Sequence, residues 1–129
     1  MPRRVVLERD QLVLEFSGLK HFETLEARFE VPYEKIVSVT TSAFNFPPGT
    51  FRLGGLSVPF TDIREGHFEF KGSWYFVSFE DREKVVTLYL DGFIHGGRKY
   101  SVVAFQVDDP EGFVDRLKNL APNIKIVEP

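Results

Sequence analysis

Along most of this chain apolar residues return at every second position, the period of half-buried β-strands. Leu12, Leu14 and Phe16 alternate with Val13 and Glu15. Leu25, Ala27, Phe29 and Val31 alternate with Glu26, Arg28 and Glu30. Ser17-Gly18-Leu19-Lys20 lies between the two runs as a turn, so the pair is predicted to form a hairpin. Pro32 to Lys35 interrupts, and Ile36 to Thr40 resumes as a short β-branched strand. Further on, Phe68 and Phe70 flank Glu69, and Lys71-Gly72 makes a tight turn. Trp74 to Phe79 is aromatic in both phases, which predicts a strand covered on both sides. Val86, Leu88 and Leu90 oppose Val85, Thr87 and Tyr89. A loop is predicted from Asp91 to Lys99, and Val103, Phe105 and Val107 form the apolar face of the last long strand.

The period then changes. Asp108-Asp109-Pro110-Glu111 reads as a helix start, with an Asp cap, proline at the first helical position and an acid near the positive helix end. Phe113, Leu117 and Leu120 form one stripe opposite Asp115, Lys118 and Asn119, and Pro122 ends it. The pattern is therefore mainly β with one C-terminal α-helix: six or seven antiparallel strands in two packed sheets, or a curled barrel with the helix plugging an open end. With 129 residues, 43% of them hydrophobic, the chain is predicted to be a single domain over 1–129, its core spanning about 10–121.

Three segments give the chain a resemblance to a known family: Val31-Pro32-Tyr33-Glu34-Lys35-Ile36, Arg52-Leu53-Gly54-Gly55 followed by Val58-Pro59, and Val107-Asp108-Asp109-Pro110-Glu111. With strands followed by one capping helix, the chain resembles a bacterial pleckstrin-homology-like (PH-like) domain over residues 10 to 121. The resemblance implies a seven-stranded, two-sheet PH-like barrel capped by the helix, and roles in lipid binding, partner docking or homo-oligomer formation. The basic cup of phosphoinositide-binding members is not matched, because Lys20, His21 and Arg28 stand among Glu23 and Glu26.

Composition removes several kinds of chemistry. There is no cysteine, hence no disulfide and no thiolate. Sixteen Lys and Arg against nineteen Asp and Glu give a net charge of −3, a poor footing for a nucleic-acid partner. Val5-Val6-Leu7 is broken at once by Glu8, Arg9 and Asp10, so no signal peptide is predicted, and a cytoplasmic location is the expectation. His21, His67 and His95 are far apart in sequence and lack a metal-ligand motif; Ser57, Ser73, Ser78 and Ser101 sit in no nucleophile elbow. No catalytic residue, metal site or cofactor is predicted, and the chain is read as non-enzymatic.

Most of the fourteen phenylalanines need only a core. Those that alternate poorly define two candidate surfaces. The first lies in the stretch from Thr41 to Thr61, where Arg52 is the only charge: Phe44, Phe46, Pro47, Pro48 and Phe51 are the candidate partner-binding residues. The same segment could instead fold back over an open barrel end. In the second, Phe93 and Ile94 beside Arg98 and Lys99 could meet an anionic lipid surface. Val85, Tyr89, Val102 and Ala104 make a second apolar face, to be covered by the helix or a neighbouring subunit. The expected function is a binding or assembly module that forms a homo-oligomer or docks a protein. The alternatives are a peripheral anionic-lipid-binding domain and, behind that, a small-ligand carrier or enzyme.

Overall fold

The aromatic run at 74–79 decides the layering. In the computed structural model, which describes residues 3–18, 24, 26–46, the backbone of 51–57, and 63–128, Phe76 is fully buried on one side of its strand and Val77 and Phe79 on the other. A strand apolar on both faces must belong to a middle layer. Strands β1 (Arg3–Leu7), β2 (Gln11–Phe16) and β3 (Arg28–Pro32) form a small antiparallel sheet. The other seven make a large one in the order β10-β4-β8-β9-β7-β6-β5. They are β4 (Ile36–Thr40), β5 (Phe51–Ser57), β6 (Arg64–Phe70), β7 (Ser73–Phe79), β8 (Val85–His95), β9 (Arg98–Gln106) and β10 (Lys125–Val127). A single long helix, α1 (Pro110–Leu120), is present among the described residues.

The small sheet and α1 cover the inner face of the large sheet. Leu12, Leu14 and Phe29 from the small sheet, Phe113, Val114 and Leu117 from α1, and Phe76, Leu88, Val103 and Phe105 from the large sheet share one core. Phe29 stacks on Phe76 with centroids 4.3 Å apart, and Phe105 meets Phe113 edge-on at 5.5 Å. Pro32 leads into a turn at Tyr33–Lys35 that ties the two sheets together. The Tyr33 hydroxyl donates to the Glu8 carbonyl at 2.5 Å, and burial, with Asp10 and Glu8 nearby, pushes this phenol up to about 12.

The outer face carries a second core made of Phe44, Phe68, Val77, Phe79, Val85, Val102 and Ala104, with Phe46 and Tyr75 packed against it. Val85, Val102 and Ala104 are thus covered by the chain's own segment around Phe44, while the helix lies on the opposite face.

The expected barrel and the expected pair of antiparallel sheets are both corrected. Among the described residues no sheet closes: β10 and β5 end the large sheet, and no pairing joins them to each other or to the small sheet. A closed barrel keeps one face of its sheet inside, whereas here both faces of β7, β8 and β9 are apolar and each needs its own cover. The large sheet is also mixed, because β9 slots between β8 and β7 and so runs parallel to β7, and β10 returns parallel to β4.

The helix starts as its sequence dictates. Asp109 caps it by accepting from the Gly112 N–H at 3.1 Å, and Pro110 occupies the first turn. A Cβ at Gly112 would crowd that carboxylate and make the Asp109 side chain shift. The buried stripe is Phe113, Val114 and Leu117, and Leu120 faces solvent instead of extending it. The predicted Asp91–Lys99 loop is mostly strand, since β8 and β9 continue as a hairpin around Gly96-Gly97, both at positive φ.

Candidate functional site

Strand β6 puts Glu65 and His67 on the inner face, where neighbouring strands place Ser78 and Phe76 across from them. Inner-face rows therefore run from aliphatic to polar: Leu88, Val103 and Phe76 lead to His67, while Val86, Phe105 and Ser78 lead to Glu65. A carboxylate this deep needs donors. Glu65, fully buried, accepts from the Ser78 hydroxyl at 2.5 Å and from Arg3 Nη2 at 3.3 Å, and Arg3 also reaches Ser78 at 2.8 Å and pairs with Glu80. Arg3 belongs to β1, so this network fastens the small sheet to β6 and β7.

The second polar group depends on two irregularities. Leu88 and Phe93 both face inward although they are five positions apart, which period two forbids without an extra residue. A bulge between Tyr89 and Phe93, with Gly92 at φ 71°, supplies it and turns His95 to the same side. On β9 a register shift opposite Trp74 and Tyr75 lets Tyr100 and Val103 both point inward. Glu26, two residues ahead of β3, then lies between two imidazoles. Its Oε2 is 3.2 Å from His67 Nε2 and its Oε1 is 3.0 Å from His95 Nε2. Tyr100 OH lies 2.6 Å from His67 Nδ1. His67 Nε2 donates to the carboxylate, and Nδ1 and the Tyr100 hydroxyl share a second hydrogen bond.

Burial pushes the Glu26 carboxyl up, but hydrogen bonds and charge from His67 and His95 outweigh it and hold the group below its ordinary value. Burial also raises the Tyr100 phenol, with Arg98 opposing and Glu26 reinforcing that shift. Phe29 packs on His95 at 4.3 Å and Phe76 on His67 at 5.0 Å, so the polar chain is set in an aromatic wall. Both nitrogens of His67 are engaged, which leaves no lone pair on this imidazole for a substrate or an ion. Among the described residues no group of three His, Cys, Asp or Glu could hold a metal ion.

Of the predicted partner-binding residues, Phe44 is buried and Phe46 half-buried, lying edge to face at 4.9 Å. Phe46 reaches Phe68 at 4.5 Å and Phe44 reaches Phe79 at 5.9 Å. Pro47 and Pro48 lie outside the described residues, and Phe51 is placed only as the first residue of β5. The predicted lipid-contacting residues separate. Phe93 is in the inner core, Ile94 is 67% exposed, Lys99 is exposed, and the Arg98 guanidinium sits 4.3 Å from the Trp74 ring centroid. In the sequence Glu26 alternates in phase with Arg28 and Glu30, and His67 and His95 are far apart. Arg28 and Glu30 are indeed paired at the surface, at 2.9 Å, whereas Glu26 turns inward.

No protein-family model, no curated protein and no solved structure matches this chain. The structure supports a mostly β domain of two sheets with one C-terminal helix. Among the described residues, no helix is long and apolar enough to cross a membrane.

Proposed function

We propose that this protein is a non-enzymatic binding module that works by pairing with a second copy of itself. The observation that carries the reading is the margin of the large sheet at β4 and β10. Among the described residues no strand lies beyond β10, and Val37, Leu120, Ile126 and Val127 are 53, 45, 40 and 41% exposed. Beside this margin Tyr33, Ile36, Leu120, Ala121 and Ile124 line a shallow groove that continues the apolar surface. A free edge offers backbone donors and acceptors, and the neighbouring side chains offer surface better removed from water.

One occupant meets both needs. Twofold antiparallel pairing of β10 about Ile126 sets Lys125 opposite the partner subunit's Val127, so the two lysines stay apart and each aliphatic stem covers a valine. Such pairing is isologous and needs no cofactor. The inner polar clusters support a role without turnover, since Glu26, His67 and Tyr100 are spent on one another. Within this proposal the PH-like resemblance contributes its partner-docking role, carried by sheets that stay open.

Sedimentation velocity at about 100 μM tests the reading, a concentration at which micromolar association populates the dimer. The expected result is the mass of two chains, falling to one in a Val37→Lys/Ile126→Lys double variant whose melting temperature is unchanged. A single-chain mass for the natural sequence, or a dimer that survives the double substitution, overturns it.

A further inference from the structure

On the outer face of the large sheet the described part of the cover leaves a place open. Two cross-strand rows run over this face: Thr40, Thr87, Ala104 and Val77, then Ser38, Tyr89, Val102 and Tyr75. Phe44 and Phe46 lie over the β7 and β6 end of these rows. Toward β4 the cover thins to Ser42, Ala43 and Asn45, and a cavity of about 350 Å³ remains, floored by Thr40, Thr87 and Val102 and walled by Phe44, Tyr75 and Tyr89. That volume is at the lower end of the roughly 300–1,000 Å³ of small-molecule sites.

The polar groups of this cavity are not equally occupied. The Thr40 hydroxyl donates to Ser42 Oγ and accepts from the Ser42 N–H, both at 3.2 Å. Asn45 Oδ1 accepts from Arg82 Nη1 at 2.9 Å. Thr87 is 1% exposed, and its Oγ1 has no hydrogen-bond partner among the described residues. A hydroxyl removed from water without a partner is a cost that folding does not recover, and a bound group that accepts its proton removes that cost. None of the lining residues is charged, so an ionic guest would lose its hydration with nothing to replace it. Burial, with Tyr89 close by, raises the Tyr75 phenol, so this wall residue stays uncharged. Three aromatic rings in the wall favour a flat apolar body.

We propose that this cavity binds an uncharged, planar aromatic molecule bearing a carbonyl-type acceptor, which takes the Thr87 hydroxyl proton in a hydrogen bond. This site is independent of self-association, because β10 contributes no lining residue.

Titration of the full chain with acetophenone, ethylbenzene and benzoate, followed by NMR at the methyls of Ala43 and Val102, tests the proposal. Acetophenone is expected to shift both methyls, with ethylbenzene about five- to tenfold weaker for want of the acceptor, and benzoate weaker still. Thr87→Val keeps the shape and removes the hydroxyl. It should melt no lower than the natural protein and abolish the preference for acetophenone over ethylbenzene. Ala43→Phe, at an exposed position of the wall, should close the mouth and weaken acetophenone about tenfold without changing the melting temperature. No shift at either methyl with any neutral probe overturns the proposal, as does equal binding of all three. A lowered melting temperature in Thr87→Val also overturns it, because the hydroxyl would then be satisfied within the protein.

Discussion

The two faces of the large sheet bury polar groups in opposite ways. On the inner face Glu65 sits between Arg3 and Ser78, and Glu26 is shared by His67 and His95. On the outer face the segment around Phe44 supplies rings but few donors, and among the described residues the Thr87 hydroxyl has no partner. The inner face is closed by two regular elements: α1 brings apolar side chains, and the small sheet with its flank brings Arg3 and Glu26 to the polar groups of the large sheet. Among the described residues the outer face is covered by the short irregular segment around Phe44 and Phe46. Rigid covers can satisfy buried polar groups, whereas a partial cover leaves space and an unspent hydrogen bond.

The largest expected contrast is in packing. Phe76→Ala on the inner face should cost about 3–5 kcal/mol in urea denaturation, because the ring is fully enclosed. Phe46→Ala, half-buried on the outer face, should cost about 1–2 kcal/mol, in proportion to the smaller area it removes from water. Equal losses would mean that both covers are equally tight, and the contrast would break.

Next comes the shared carboxylate. Glu26→Gln leaves one oxygen where two imidazoles need an acceptor, and should cost about 1–3 kcal/mol at neutral pH. Because the folded carboxyl lies below its ordinary value, its stabilisation is complete above that ordinary value and is lost as pH falls through the folded one. The variant should therefore lose less stability than the natural protein between about pH 5 and pH 3, read as midpoint against pH. Parallel curves would show that the pair of imidazoles does not hold Glu26. The smallest effect is expected at the rim of the same small sheet, where Arg28 meets Glu15 and Glu30 in water. Arg28→Ala should leave the denaturation midpoint where it is, which sharpens the difference between buried and solvated ion pairs.

Most strands and the helix start are legible in the sequence, because period two and an Asp-Pro cap are local signals. Strand order is not local. Nothing between Trp74 and Gln106 says that β9 will enter between β8 and β7. The three-residue β10 is too short to show a period, and β1 is obscured where Val5-Val6-Leu7 puts apolar residues in both phases. Glu26 was misassigned because it keeps the alternation of Arg28 and Glu30, yet the strand begins at Arg28 and that phase does not extend to it. On β6 the apolar phase, Phe68, points to the outer core, so the polar phase, Glu65 and His67, is the one turned inward. Alternation tells one face from the other, but not which cover each face receives.

The parallel seam between β7 and β9 also sets an order of events during folding. The meander β5–β6–β7 and the hairpin β8–β9 are each built from neighbouring segments and need little chain closure. Joining them requires β9 to dock beside β7 with β8 already in place, a less local step than the pairing within either unit. Until it happens, β7 presents an aromatic strand with one bare edge, and β9 of another chain fits that edge as well as its own. Refolding at high concentration should accordingly yield exchanged hairpins before it yields disordered aggregates, with the yield of native chains set by how fast this one seam closes.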